Sequence, residues 1–138
     1  MLKLFKKNDT SKKERKQAKI LLVDDEKDLV STVEYRMKFS DYQVITACNG
    51  QEGLERAAAE KPDLILLDTN MPVMDGHEML KHLRANAELK HIPVIMLTAI
   101  SSAQDISAAS SYGIADYVTK PFNFESLMEK VDAALKNS

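Results

Sequence analysis

Cysteine is almost absent from this sequence. The single cysteine, Cys48, excludes an intrachain disulfide and a metal cluster built from cysteines. Long apolar runs are absent as well, because no stretch approaches the roughly 18 to 20 residues of a membrane span. The N-terminus also lacks the apolar central region of a secretory signal. We therefore expect a cytoplasmic protein in a reducing environment, with no transmembrane segment.

Positive charge is scarce outside the first residues of the chain. Residues 1–19 hold eight Lys or Arg and two acids, a net charge of +6, whereas the rest of the chain carries −8. An acidic folded part does not offer the positive surface by which nucleic acids are bound. We predict a basic, flexible N-terminal extension over residues 1–18, one soluble domain over residues 19–138, and no direct contact with nucleic acid.

Short apolar runs alternate with helical patterns from residue 20 onward. Five runs are continuous, which favours strands buried on both faces of a sheet: residues 20–23, 44–47, 64–67, 94–97 and 117–119. The segments between and after them carry apolar residues at helical spacing, most clearly near the C-terminus. This order predicts an α/β domain with a doubly wound parallel sheet, helices on both faces and one hydrophobic core.

Polar residues directly follow several of the predicted strands. Asp24 and Asp25 follow the first, Asp68 the third, Thr98 the fourth and Lys120 the fifth. Ligands of open parallel sheets bind beyond the carboxyl ends of the strands, so these side chains are candidates for one site. Carboxylate oxygens select a hard cation such as Mg²⁺. With an amine and a hydroxyl nearby, the set predicts a phosphoryl-transfer site with Asp68 as nucleophile.

Four strings in this sequence resemble the receiver domain of two-component response regulators. The resemblance covers residues 19–136 and implies a flavodoxin-like, five-stranded sheet of order 2-1-3-4-5. It also implies a cis peptide bond before Pro121. The strings are Asp24-Asp25, LDTNMPVMDG from Leu67 to Gly76, Thr98-Ala99, and YVTKPF from Tyr117 to Phe122.

The resemblance implies a role for each acid of the site. Asp68 would be the phosphoacceptor, which takes a phosphoryl group from a phosphohistidine of a histidine kinase or a histidine phosphotransfer protein. Asp25 would bind Mg²⁺ directly and Asp24 mostly through water. Asp68 itself and the backbone carbonyl of Asn70 would complete the metal site.

The resemblance further implies a signalling role rather than that of an enzyme. Thr98 and Lys120 would contact the phosphoryl group, and the ring of Tyr117 would change rotamer together with Thr98. The face around Tyr117 would then contact a downstream protein target, as a monomer or as a dimer formed on phosphorylation. If the chain is complete, we expect no output domain of its own.

Several other polar residues have structural interpretations. Asp63 precedes its strand, and Asp75 lies in a turn before a helix. Glu26 is predicted to serve the start of the following helix, where negative charge is favourable, and to lie outside the site. The serine-rich segment of residues 101–111 has one large aliphatic residue, which predicts a loosely held helix.

Two alternative functions stay open. An inactive pseudo-receiver that acts only as a protein-binding module would be expected to lack an acid, the threonine or the lysine, and all are present. A small aspartyl phosphatase or phosphotransferase of another fold would need a second acid two residues after the nucleophile. Asn70 occupies that position.

Overall fold

A computed structural model of the protein describes residues 17–99, 107 and 109–137. Strands and helices alternate from the first to the fourth strand, as the sequence predicts, and a helix follows the fifth strand. The strands are β1 (Lys19–Val23), β2 (Gln43–Ala47), β3 (Leu64–Asp68), β4 (Val94–Ala99) and β5 (Asp116–Lys120). The helices that we label are α1 (Lys27–Met37), α2 (Gly50–Glu60), α3 (Gly76–Ala85) and α4 (Phe124–Lys136).

The five strands form one parallel sheet in the order β2-β1-β3-β4-β5. This confirms the predicted topology. Strand β3 lies at the centre, with β1 and β4 as its neighbours. The carboxyl ends of β1, β3, β4 and β5 therefore lie along one edge of the sheet, which is where the candidate side chains follow their strands.

The outer strands differ from the predicted burial. Every residue of β3 is buried, and so are four of the five residues of β1. Strands β2 and β5 are only partly covered, since each has a single neighbouring strand. The prediction that all five runs are buried on both faces is therefore wrong for these two edge strands.

Two hydrophobic layers cover the sheet, one on each face, as the predicted helices on both faces require. Side chains alternate between the two faces along each strand, so Leu21 and Val23 join one layer and Ile20 and Leu22 the other. Helices α2 and α3 pack on the first face, and α1 and α4 on the second. Both faces of a central strand contact a hydrophobic layer, which explains why the sequences of these strands are continuous apolar runs.

Three helices begin at residues that cap their exposed backbone N–H groups. The side chains of Asn49, Asp75 and Asn123 accept hydrogen bonds from N–H groups three residues further on, at 2.9, 2.9 and 2.7 Å. The structural interpretation of Asp75 is thereby confirmed. Asp63 is structural as well, because it accepts a hydrogen bond of 2.7 Å from the backbone N–H of Lys19.

Two predictions fall on parts of the chain that the structure does not describe. The first is the flexible extension, because residues 1–16 lie outside the described residues. The second is the loosely held helix, because residues 101–106 and 108 also lie outside them. Within the described part, Ala109 is buried in the layer of α2 and α3. None of the described helices combines the length and the apolar character that crossing a membrane requires.

Candidate functional site

The predicted side chains meet at the carboxyl edge of the sheet. Asp24 follows β1 directly, Asp68 is the last residue of β3, and Lys120 is the last residue of β5. Asp24 and Asp68 are buried, with 1% and 4% of their surfaces exposed, whereas Asp25 is exposed. One side of the cluster is therefore enclosed by protein, and Asp25 opens it to solvent.

Three carboxylates form the centre of this cluster. One oxygen each of Asp24, Asp25 and Asp68 lies within 4.8 Å of the others. Like charges at this separation repel, and burial removes the water that would screen them. A hard divalent cation takes carboxylate oxygens and relieves that repulsion, so the donors that are present fit such an ion.

The ammonium group of Lys120 contacts three acids at once. Its Nζ lies 2.7 Å from Oδ2 of Asp24, 2.8 Å from Oε1 of Glu26 and 3.4 Å from Oδ1 of Asp68. Burial alone would lower the pKa of Lys120, but hydrogen bonds to Asp24 and Glu26 and the charges of Asp24 and Asp68 outweigh it and raise the pKa. Lys120 therefore stays charged at neutral pH.

The environment of the Asp68 carboxyl group disfavours its ionised form. Burial, followed by the charge of Asp24, raises the pKa of Asp68 to about 6 from its ordinary 3.8, although Lys120 opposes the shift. The backbone N–H of Asn70 donates a hydrogen bond of 3.3 Å to the same carboxylate. Asp68 is therefore ionised at neutral pH, and any further positive charge nearby would stabilise the ionised form.

A close backbone approach shapes the loop after Asp68. The N–H of Gly76 donates to the carbonyl oxygen of Thr69 at 3.1 Å, and a Cβ at Gly76 would lie 2.1 Å from the carbonyl oxygen of Asp68. A side chain at this position would therefore displace the backbone at the end of β3. Asn70, whose carbonyl is a predicted metal ligand, lies exposed in this loop. The predicted cis peptide bond between Lys120 and Pro121 is confirmed.

Thr98 and Tyr117 lie on neighbouring strands and on the same face of the sheet. Thr98 pairs with Thr119 in the register of β4 and β5, and Tyr117 precedes Thr119 by two residues. Thr98 is buried, and its hydroxyl donates to the carbonyl of Ala99 at 3.4 Å. The ring of Tyr117 is 38% exposed. Thr98 thus lies near the acid cluster, and Tyr117 lies further down the same face.

Two contacts near these residues were not predicted from the sequence. Glu26 is the N-cap residue of α1, but its side chain makes no capping hydrogen bond and contacts Lys120 instead. The prediction that Glu26 lies outside the site is therefore wrong. Lys130 of α4 lies 3.2 Å from Asp116, donates to the carbonyl of Tyr117 at 3.0 Å and stands 5.4 Å from the centroid of its ring.

The fold and the acid cluster agree with what comparison with known proteins finds. The family model of the response regulator receiver domain matches residues 20–132. The chain is 42% identical over 120 residues to the alkaline phosphatase synthesis transcriptional regulatory protein PhoP of Bacillus subtilis, covering 87% of this chain and 49% of that protein. It is 39% identical over 118 residues to the transcriptional regulatory protein PrrA of Mycobacterium tuberculosis, covering 86% and 50%.

Solved structures show the same relationship. The chemotaxis response regulator CheY4 of Vibrio cholerae superimposes with a TM-score of 0.80 at 34% identity, over 86% of this chain and 98% of that one. A putative response regulator from Chloroflexus aurantiacus gives a TM-score of 0.83 at 30% identity, over 88% and 99%. The chain belongs to the response regulator receiver domains, which are signalling domains of two-component systems. It spans about half the length of the curated relatives described above.

Proposed function

We propose that this chain is a Mg²⁺-dependent receiver that accepts a phosphoryl group from a phosphohistidine onto Asp68. The observation that carries the proposal is the position of Asp68. Its carboxylate ends the buried central strand, lies among two further acids and is 3.4 Å from the ammonium of Lys120. A nucleophile beside cationic and metal-binding groups is the arrangement that phosphoryl transfer requires.

The reaction begins with the ionised form of Asp68. One carboxylate oxygen forms a bond to phosphorus while the bond between phosphorus and the imidazole nitrogen of the donor breaks, and the departing imidazole takes up a proton. With a pKa of about 6, Asp68 is mostly ionised at neutral pH. Burial also leaves this carboxylate weakly hydrated, so little water must be removed before attack.

Asp24, Asp25 and Asp68, with the backbone carbonyl of Asn70, would hold the Mg²⁺ ion. When bound, the ion neutralises the acids and the negative charge that develops on the transferred oxygens. The side chains of Lys120 and Thr98 act beside it as donors to phosphoryl oxygens. The buried position of Thr98 on β4 and the short reach of Lys120 to Asp68 support these roles.

Phosphorylation of Asp68 would change the charge at the end of the central strand and so shift the neighbouring face of the sheet. Thr98 lies near the end of the strand beside Asp68 and shares a face of the sheet with Tyr117, which supports a signal carried by the ring of Tyr117. The phosphodonor would be a histidine kinase or a histidine phosphotransfer protein. A downstream protein would recognise the face around Tyr117.

Incubation with acetyl phosphate and Mg²⁺, followed by intact and peptide mass spectrometry, tests the proposal. We expect one added phosphoryl group, located on Asp68 and absent when EDTA replaces Mg²⁺. Asp68→Asn should abolish the modification, whereas Asp63→Asn, an acid at the opposite edge of the sheet, should retain it. Modification of another residue, or none, would contradict the proposal.

The same experiment separates the two alternatives. An inactive pseudo-receiver would show no modification with any small phosphodonor. A phosphatase would release phosphate from added phosphomonoesters with repeated turnover, and a phosphotransferase would pass the phosphoryl group to an added acceptor molecule. The proposed receiver would leave phosphomonoesters intact and would carry at most one phosphoryl group at a time.

A further inference from the structure

The ammonium of Lys120 has more acidic partners than its proposed role needs. An ammonium group offers three N–H donors. In the structure they face Asp24 at 2.7 Å, Glu26 at 2.8 Å and Asp68 at 3.4 Å, so the contact with the proposed phosphoacceptor is the longest of the three. Lys120 is 15% exposed at its side chain, which leaves little room for a further partner.

A phosphoryl group on Asp68 would bring additional oxygen acceptors to this ammonium. The donor that faces Asp68 can turn to one phosphoryl oxygen, and a second contact with the phosphoryl group requires that Asp24 or Glu26 release its donor. Asp24 is the less suitable one, because its side chain is fully buried and its second oxygen already accepts the N–H of Glu26 at 2.9 Å. The side chain of Glu26 is 59% exposed, so water can replace Lys120 as its partner at low cost.

We infer that Glu26 is a positioning residue that holds Lys120 in a resting position and competes with the phosphoryl group for its ammonium. The inference rests on the proposed function of Asp68. Glu26 acts through Lys120 and does not contact the reacting atoms. The carboxylate of Glu26 keeps one N–H donor of Lys120 occupied and adds a negative charge, until a phosphoryl group displaces Glu26 from Lys120.

The variant Glu26→Gln tests this inference, because it keeps the shape of the side chain and removes its charge. Asp28→Asn is the matched control, since Asp28 is an exposed acid in the first turn of the same helix and its loss changes the helix terminus by the same charge. With acetyl phosphate and Mg²⁺, we expect Glu26→Gln to be phosphorylated about two- to fivefold faster than wild type. Asp28→Asn should change the rate by less than about 1.5-fold.

A second measurement asks whether the effect passes through Lys120. Binding of beryllofluoride, a phosphoryl mimic, is followed by the shifts of backbone amide signals in NMR spectra at fixed Mg²⁺ concentration. Glu26→Gln should tighten binding by about the same factor in the wild-type background. In a Lys120→Met background the substitution should have no effect beyond that of Asp28→Asn, since the group for which Glu26 competes is missing.

The outcomes separate this inference from the proposed function. If wild type is not phosphorylated on Asp68, the proposed function fails and the inference fails with it. If wild type is phosphorylated but Glu26→Gln matches Asp28→Asn, the inference alone is overturned. An acceleration that persists without Lys120 would also overturn it, because Glu26 would then act as a general charge. A slower Glu26→Gln would show that Glu26 assists Lys120 rather than restrains it.

Discussion

The charged side chains at the two ends of the strands differ in their burial and in their partners. At the amino edge, Lys19 pairs with Glu60 at 3.0 Å, and the backbone N–H of Lys19 donates to Asp63 at 2.7 Å. Each of these acids contacts a different donor group of Lys19, and both acids lie at least partly in solvent. At the carboxyl edge, Asp24 and Asp68 are buried and share the ammonium of Lys120 with Glu26.

This difference separates solvated, balanced charge from buried, unbalanced charge. An exposed, balanced pair contributes little free energy in either direction. A buried and unbalanced cluster costs free energy, and the cost falls when a cation or a new acceptor arrives. We therefore expect ligands to change the stability of the carboxyl edge but not that of the amino edge. The substitutions that follow test this contrast, from the largest expected effect to the smallest.

Loss of the shared cation should have the largest effect. Lys120→Met leaves Asp24 and Asp68 buried without their cationic partner, so we expect the free energy of unfolding at neutral pH without divalent cations to fall by about 3 to 4 kcal/mol. Urea denaturation followed by circular dichroism measures this decrease in the free energy of unfolding. Millimolar Mg²⁺ should recover part of the loss. An unchanged urea midpoint would mean that the carboxyl edge is as balanced as the amino edge.

Filling the close approach at Gly76 should be the next most damaging change. A methyl group there would lie 2.1 Å from the carbonyl oxygen of Asp68, so Gly76→Ala should destabilise by about 3 kcal/mol and slow phosphorylation. Gly113, which precedes β5 near the amino edge, has a φ of 73°, and a Cβ added there would lie more than 4 Å from the atoms of the described residues other than its chain neighbours. Gly113→Ala should cost about 1 kcal/mol through backbone strain alone and leave phosphorylation unchanged, as acetyl phosphate assays can verify.

Removing the charge of Asp68 should stabilise the folded protein at neutral pH. The folded-state pKa of about 6 lies above the ordinary 3.8, so the folded protein binds more protons than the unfolded chain between these values. The ionised group thus destabilises the fold above pH 6, and this penalty is lost as the pH falls to about 4. Asp68→Asn should therefore gain about 2 kcal/mol at pH 7 without Mg²⁺ and nothing near pH 4.

Thermal unfolding across this pH range checks the expectation for Asp68→Asn. Addition of Mg²⁺ should stabilise wild type more than the variant, because the variant lacks one of the three carboxylates. A gain that is the same at pH 4 and pH 7 would show that the charge of Asp68 is not its source.

The smallest effect is expected at the amino edge. Glu60→Gln removes the partner of Lys19, yet both side chains are partly exposed, so the free energy of unfolding should change by less than about 1 kcal/mol. Mg²⁺ should leave the difference between Glu60→Gln and wild type unaltered. A change as large as that of Lys120→Met would remove the contrast between the two edges.

Much of the fold could be predicted, because the succession of strands and helices follows from elementary patterns and the resemblance to a family supplied the strand order. Continuous apolar runs mark central strands, and the polar residues that directly follow them identify the edge where a site forms. Burial of the edge strands was misjudged, since a run such as Tyr117 to Thr119 looks the same whether one neighbouring strand or two will cover it. Helices on both faces were predicted, but a continuous apolar run does not show which of the two layers each side chain joins.

The acids of the site were predictable, but their pairing was not. Their positions directly after predicted strands identified Asp24, Asp25 and Asp68 as candidates. The resemblance to a family supplied their roles. The contact of Glu26 with Lys120 joins residues far apart in the chain and depends on how a long side chain crosses a loop. The contacts of Lys130 with Asp116 and Tyr117 are of the same kind. No sequence spacing indicates such contacts.

The two hydrophobic layers bear on how such a domain can diversify. Among the described residues, no side chain belongs to both layers, so α2 and α3 rest on one set of residues and α1 and α4 on another. Substitutions can accumulate in one pair of helices, and on the surface that it presents, without repacking the other pair. A lineage could thus acquire a new binding partner on one flank while the opposite flank keeps its old one. Asp68, at the end of the strand that supports both layers, would serve either surface.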